Sequence, residues 1–150
     1  MSKTQVTETI IVKGDLADIF SLWADEENYP YWMHDIKSVE YMGGHTSYWT
    51  MREGPENTLL TWDTKTTLFE ENKRIAWRSI GGDIETSGQV TFTPLSHGEV
   101  EITYTLHYAL PPNLHPRVVT ELFSDPGERL RRDLQNFKAH AEGMEERMTT

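Results

Sequence analysis

Tyr104, Tyr108 and Asp133 are the side chains whose types and spacing could do chemistry. The two tyrosines stand four apart in a run, 99–110, that alternates large apolar with polar residues, so both fall on one face of a strand. Their hydroxyls can donate hydrogen bonds to a carbonyl oxygen, but neither is an effective base at neutral pH. Asp133 sits beside Leu130 and Phe137 at helical spacing, at the border of an apolar stripe. Paired with Arg129 or another cation it is an ordinary surface group. Turned into an apolar cavity it loses solvation, its pKa rises, and it becomes the chain's best acid–base group. Alternation puts Trp49, Trp62, Thr64, Thr66, Trp77, Ser79 and Phe92 on the same side as the tyrosines, and the helical stripe adds Leu130 and Phe137. Flat aromatic walls with a few polar groups for orientation suit a hydrophobic small molecule. A solidly packed core uses the same residue types, and composition does not separate the two.

Other chemistries lack their residues. The chain has no cysteine, which removes disulfides, thiolate metal sites and cysteine nucleophiles. Its six histidines, His34, His45, His97, His107, His115 and His140, share no metal-ligand spacing on one element. There is no G-x-S-x-G elbow and no phosphate-cradling glycine loop, and Gly43–Gly44 and Gly81–Gly82 read as turns. Neither metal nor organic cofactor is expected. With 14 basic and 24 acidic residues the formal net charge is −10, which sets nucleic acid and anionic lipid at a disadvantage as partners. Arg129, Arg131 and Arg132, among Glu121, Asp125, Glu128 and Asp133, read as a solvated, ion-paired helix face. Arg78 alternates away from Trp77, toward an ion pair on the outer face. No apolar run approaches ~18 residues and "MSKTQVTETI" lacks the apolar core of a signal peptide, so a soluble, cytoplasmic chain without membrane insertion is expected.

The elements that must position these groups emerge from periodicity. Residues 6–12 read as a strand, and Asp15 as the N-cap of a helix with Leu16, Ile19, Phe20 and Trp23 on one stripe. Pro30 limits the next segment to a helical turn around 29–33. Strands are then predicted over 36–42, 46–52, 58–69, 74–80, 85–93 and 99–110, each joined to the next by turn residues. Pro111–Pro112 ends the sheet and the rest is helical, with a second helix start at Asp125–Pro126–Gly127–Glu128. From there Leu130, Leu134, Phe137, Ala141 and Met144 recur at intervals of four and three, a stripe long enough to lie across a sheet. The 150 residues read as one domain, 1–150, with its core about 6–143.

This order resembles the helix-grip fold of the START-like (SRPBCC) superfamily, and within it the bacterial polyketide cyclase/dehydrase and lipid transport branch. The residues that carry the resemblance are "IFSLWADEENYPYWM", "TWDTKTT", "RIAWRS…SGQVTF", "LHYALPP" and "RLRRDLQNFKAHAEG", from about Val6 to Gly143. It implies an α+β domain, an antiparallel sheet wrapped around a long C-terminal helix with a cavity between them. The fold hosts carriers, receptors and enzymes. Cyclases of this kind hold a poly-β-keto chain in the cavity and steer aldol closure and dehydration with polar lining residues. Here alternation brings no Asp, Glu, His or Lys clearly inside. The leading expectation is therefore a binding module for a polyketide, lipid or quinone-like compound, in contact with Trp49, Trp62, Thr64, Trp77, Ser79, Phe92, Tyr104, Tyr108, Leu130 and Phe137. The alternative is a cyclase, aromatase or dehydratase using Tyr104, Tyr108 and Asp133. A further alternative is an interaction module with a closed core, meeting a partner through its outer sheet or the "YPYWMHD" loop with Tyr29, Tyr31 and Trp32. A homodimer is compatible with the sequence, which contains no feature that specifies one.

Overall fold

Strand alternation in this chain resolves into one sheet. The computed structural model describes residues 4–149. Among them seven strands pair antiparallel in the order β1-β7-β6-β5-β4-β3-β2. They are β1 (Thr4–Lys13), β2 (Ile36–Gly43), β3 (Thr46–Met51), β4 (Thr61–Glu70), β5 (Arg74–Gly82), β6 (Glu85–Leu95) and β7 (Glu99–Ala109). Three α-helices, α1 (Leu16–Ala24), α2 (Pro116–Phe123) and α3 (Pro126–Thr149), cover one face. The α+β helix-grip architecture expected from the sequence is the one observed.

Local signals account for the boundaries. The Asp15 carboxylate accepts from the Asp18 N–H and caps α1, whose Ile19, Phe20 and Trp23 are buried. Asp125 caps α3 by accepting from the Glu128 N–H, and His115 caps α2 through Nδ1. Gly43 and Gly44 turn the β2–β3 hairpin with φ of 85° and 60°, in the left-handed region that glycine enters without strain. Two expectations shift. The helical turn lies earlier than 29–33, as a 3₁₀ segment Glu26–Tyr31 with Pro30 inside it. The strand expected from residue 58 begins at Thr61, because Pro55–Asn57 forms a 3₁₀ turn that Thr58 closes onto the Pro55 carbonyl.

The core divides into two regions under α3. Toward its C-terminal half, Phe137 and Trp23 are both 0% exposed and Trp32 is 1% exposed. Their rings meet edge-on or tilted, Phe137 lying 4.9 Å from both Trp23 and Trp32, with Phe92 and Phe20 beneath. Ala141 is also buried there, whereas the Met144 side chain lies outside the described side chains. Here α3 also seals the sheet edge: Lys138 Nζ donates to the Ile11 carbonyl at 2.7 Å, and Glu142 accepts from the Lys13 N–H at 2.9 Å. Under the N-terminal half of α3 the packing opens. No helix of the described residues is long and apolar enough to cross a membrane.

Candidate functional site

A cavity of about 140 Å³ lies between the sheet and the start of α3. Its floor is aromatic because β3, β4, β5 and β7 turn their inward positions toward it: Trp49, Trp62, Trp77 and Tyr104, with Tyr108 and Leu106 farther along β7. Trp49 and Trp62 face each other across the β3–β4 ladder and stack at 5.9 Å. The Trp49 indole N–H donates to the Thr64 hydroxyl at 2.9 Å, which fixes the ring. Trp77 meets Tyr104 edge-on at 5.7 Å. It lies flat because its neighbour across the β5–β6 ladder is Gly88, where a Cβ would stand 2.3 Å from Trp77 Cζ2. Gly88→Ala is therefore expected to push the indole toward the cavity and cost about 1–3 kcal/mol. Near-ultraviolet circular dichroism and thermal melts check this; an unchanged aromatic spectrum contradicts it.

The roof comes from α2 and α3. Leu122 and Phe123 end α2, and Pro126, Arg129, Leu130 and Asp133 begin α3. Leu122 rests on Gly54, where a Cβ would stand 2.7 Å from Leu122 Cδ1, and an Arg117–Glu56 ion pair at 3.1 Å ties α2 to the same loop. Met33, Asp35 and Ile36 close one side.

The polar groups gather at this roof. The Asp133 side chain is 16% exposed and accepts from the His34 N–H at 3.2 Å and from Arg132 at 3.3 Å. Burial pushes its carboxyl up to about 6, with the two donors opposing and the Asp35 charge adding to the rise. Burial, and then the Asp133 charge, push the Tyr104 hydroxyl well above its usual range, so it stays protonated as a donor. Burial raises Tyr108 too, against a hydrogen bond with Thr4 and the charge of Arg129. Asp35 gathers three guanidiniums: Arg129 at 2.9 Å, Arg132 at 3.2 Å and Arg52 at 3.3 Å.

Of the residues singled out from the sequence, Trp49, Trp62, Trp77, Tyr104, Tyr108, Leu130 and Asp133 line the cavity. Four lie elsewhere. Thr64 is spent on Trp49, and Phe92 and Phe137 are packed in the aromatic core. Ser79 accepts from the Thr86 N–H at 3.0 Å just past the last β5–β6 pair, completing the sheet where the ladder stops. Three readings need correction. Acidic groups do face the cavity, Asp35 from a loop and Asp133 from a helix, neither of which strand alternation describes. Of the three arginines expected on a solvated face, Arg131 is paired there with Glu8 and Glu128, but Arg129 and Arg132 converge on Asp35. In the "YPYWMHD" loop Tyr29 and Trp32 are buried, leaving Tyr31 exposed. Sequence reasoning missed Met33, Asp35, Ile36, Met51, Ile84, Thr86, Leu122, Phe123, Pro126 and Arg129. For Arg129 a signal existed, since it precedes Asp133 by four residues and shares its helix face. Among the described residues no cluster of three or more His, Asp or Glu could hold a metal ion.

Comparison with known proteins places this arrangement. A family model described as polyketide cyclase/dehydrase and lipid transport matches residues 3–142. The fold is similar to that of a Deinococcus radiodurans protein at 29% identity, with a TM-score of 0.76 over 93% of this chain and 98% of the other. A START superfamily protein from Mycobacterium smegmatis superposes with a TM-score of 0.72 at 20% identity, over 93% of this chain and 98% of its own. The Zhui aromatase/cyclase from Streptomyces sp. R1128 does so with a TM-score of 0.71 at 17% identity, over 94% of each chain.

Proposed function

The chain belongs to the polyketide cyclase/dehydrase and lipid transport family of START-like proteins, and on that footing we propose that it binds a flat, largely apolar small molecule under α2 and α3. One observation carries this reading: three indole rings, Trp49, Trp62 and Trp77, bound an unfilled space. Size narrows the ligand. Pockets for drug-sized molecules measure about 300–1,000 Å³, whereas a cavity near 150 Å³ suffices for about one benzene ring. At about 140 Å³, this one holds a single ring, and a longer molecule extends out of its open side.

Tryptophan fluorescence tests the reading, with titrations of polyketides, quinones, fatty acids and sterols. A saturable shift with one class, weakened in Trp77→Phe, is expected. No response from any class, in folded protein free of co-purified ligand, overturns it and favours a closed core.

Asp133 favours a second reading, a cyclase or dehydratase activity on a bound polyketone. A carboxyl near 6 can take a proton from carbon between two carbonyls at neutral pH. The Tyr104 hydroxyl, kept protonated beside it, can donate to the enolate oxygen that forms. In this scheme proton transfer and the holding of the chain in one geometry supply the acceleration.

A further inference from the structure

Resting on the cavity reading above, we propose that the ligand is a ring-bearing carboxylic acid, its ring against the tryptophan wall and its carboxylate on the Arg129 guanidinium. Among the described residues that line the cavity, Arg129 is the one basic side chain. It is held in place with only 23% of its side chain exposed. Nε donates to the Ser124 carbonyl at 2.9 Å, Nη1 to Asp35 at 2.9 Å, and Nη2 to the Glu121 carbonyl. A guanidinium carries five N–H groups, so these three bonds leave one on each terminal nitrogen. A carboxylate can engage one N–H from each terminal nitrogen as a fork.

Charge points the same way. Arg52, Arg129 and Arg132 bring three positive charges to the cluster, and Asp35 and Asp133 bring two negative ones when ionised, an excess of one positive charge. All three cations share Asp35. Arg132 Nε is buried without a partner, a second sign that donors outnumber acceptors here. Arg129 and Arg132 are partly buried and share Asp35 as an acceptor, so an anion in the cavity would add a further acceptor to the cluster. A monoanion with an apolar body does so. A neutral ligand of the same shape leaves the excess in place. Arg129 also has a structural duty, because it ties the last carbonyls of α2 to α3 and Asp35, and the test separates the two roles.

The experiment compares benzoate with benzamide, which match in shape and differ in charge, by calorimetric titration of the whole protein at pH 7.5. Benzoate is expected to bind at least about tenfold more tightly. In Arg129→Gln that preference should vanish, whatever the common loss in affinity for the two probes. Equal affinities in the unaltered protein overturn the carboxylate assignment and leave the cavity reading standing, and this comparison decides even if the variant fails to fold. A benzoate preference that survives in Arg129→Gln also overturns the proposal. Binding of neither probe overturns the cavity reading on which it rests.

Discussion

Asp133→Asn is expected to raise the melting temperature at pH 8. The folded protein holds the Asp133 proton up to about pH 6, whereas an unhindered carboxyl releases it near 3.8. Between those values the folded state binds more protons than the unfolded one, so stability falls as pH rises through the window and stays reduced above it. A rise of that size corresponds to a penalty on the order of 3 kcal/mol at neutral pH and above. Asparagine is neutral at every pH and keeps an oxygen to accept from the His34 N–H and Arg132. Melts from pH 4 to 8 should therefore show the variant ahead at pH 8 and level with the parent near pH 4. A variant less stable at pH 8 means that Arg132 outweighs burial and that the carboxylate is content where it is. If the chain catalyses polyketone closure or dehydration, the same substitution lowers turnover by about 10²–10⁴-fold with binding retained. Stability gained where activity is lost marks a site kept strained for function.

Phe137→Ala carries the largest stability cost, about 3–5 kcal/mol, or very roughly 10–15 °C in a domain of this size. The ring is 0% exposed and meets Trp23 and Trp32 edge-on, both at 4.9 Å. Its removal deletes two aromatic contacts as well as buried area. Because Trp23 and Trp32 also hold α1 and the 3₁₀ segment on the sheet, the hole has stiff walls and cannot collapse. Leu130→Ala, one face of which already borders the cavity, should cost less, since part of its surround is empty to begin with. Urea unfolding of both variants makes the comparison. A Phe137→Ala loss no greater than that of Leu130→Ala shows that the two regions under α3 are packed alike, with no division between a filled and an open half.

Much of this site could be read from residue types alone. Period-two alternation set Trp49, Trp62, Trp77, Tyr104 and Tyr108 on one wall, because a pleated strand leaves no other choice of side. Alternation did not reveal that Ser79 and Thr64 lie off the cavity, their hydroxyls accepting from the Thr86 N–H and the Trp49 indole. Which hydroxyl is spent on the protein itself depends on distances that alternation does not contain.

Helix and loop contributions were the least legible. The α3 stripe was evident in Leu130, Leu134, Phe137 and Ala141, but not that Phe137 would plug a core while Leu130, two turns earlier, would border a void. That difference arises because α1 and the 3₁₀ segment fill the space under the C-terminal half of α3, and nothing comparable fills the other end. By itself the sequence determined the sheet, its aromatic face, the long helix above it and the family. Tertiary structure alone decided that the wall bounds open space and that Asp133 and Arg129 face it, because burial of a helix or loop side chain is set by elements distant along the chain.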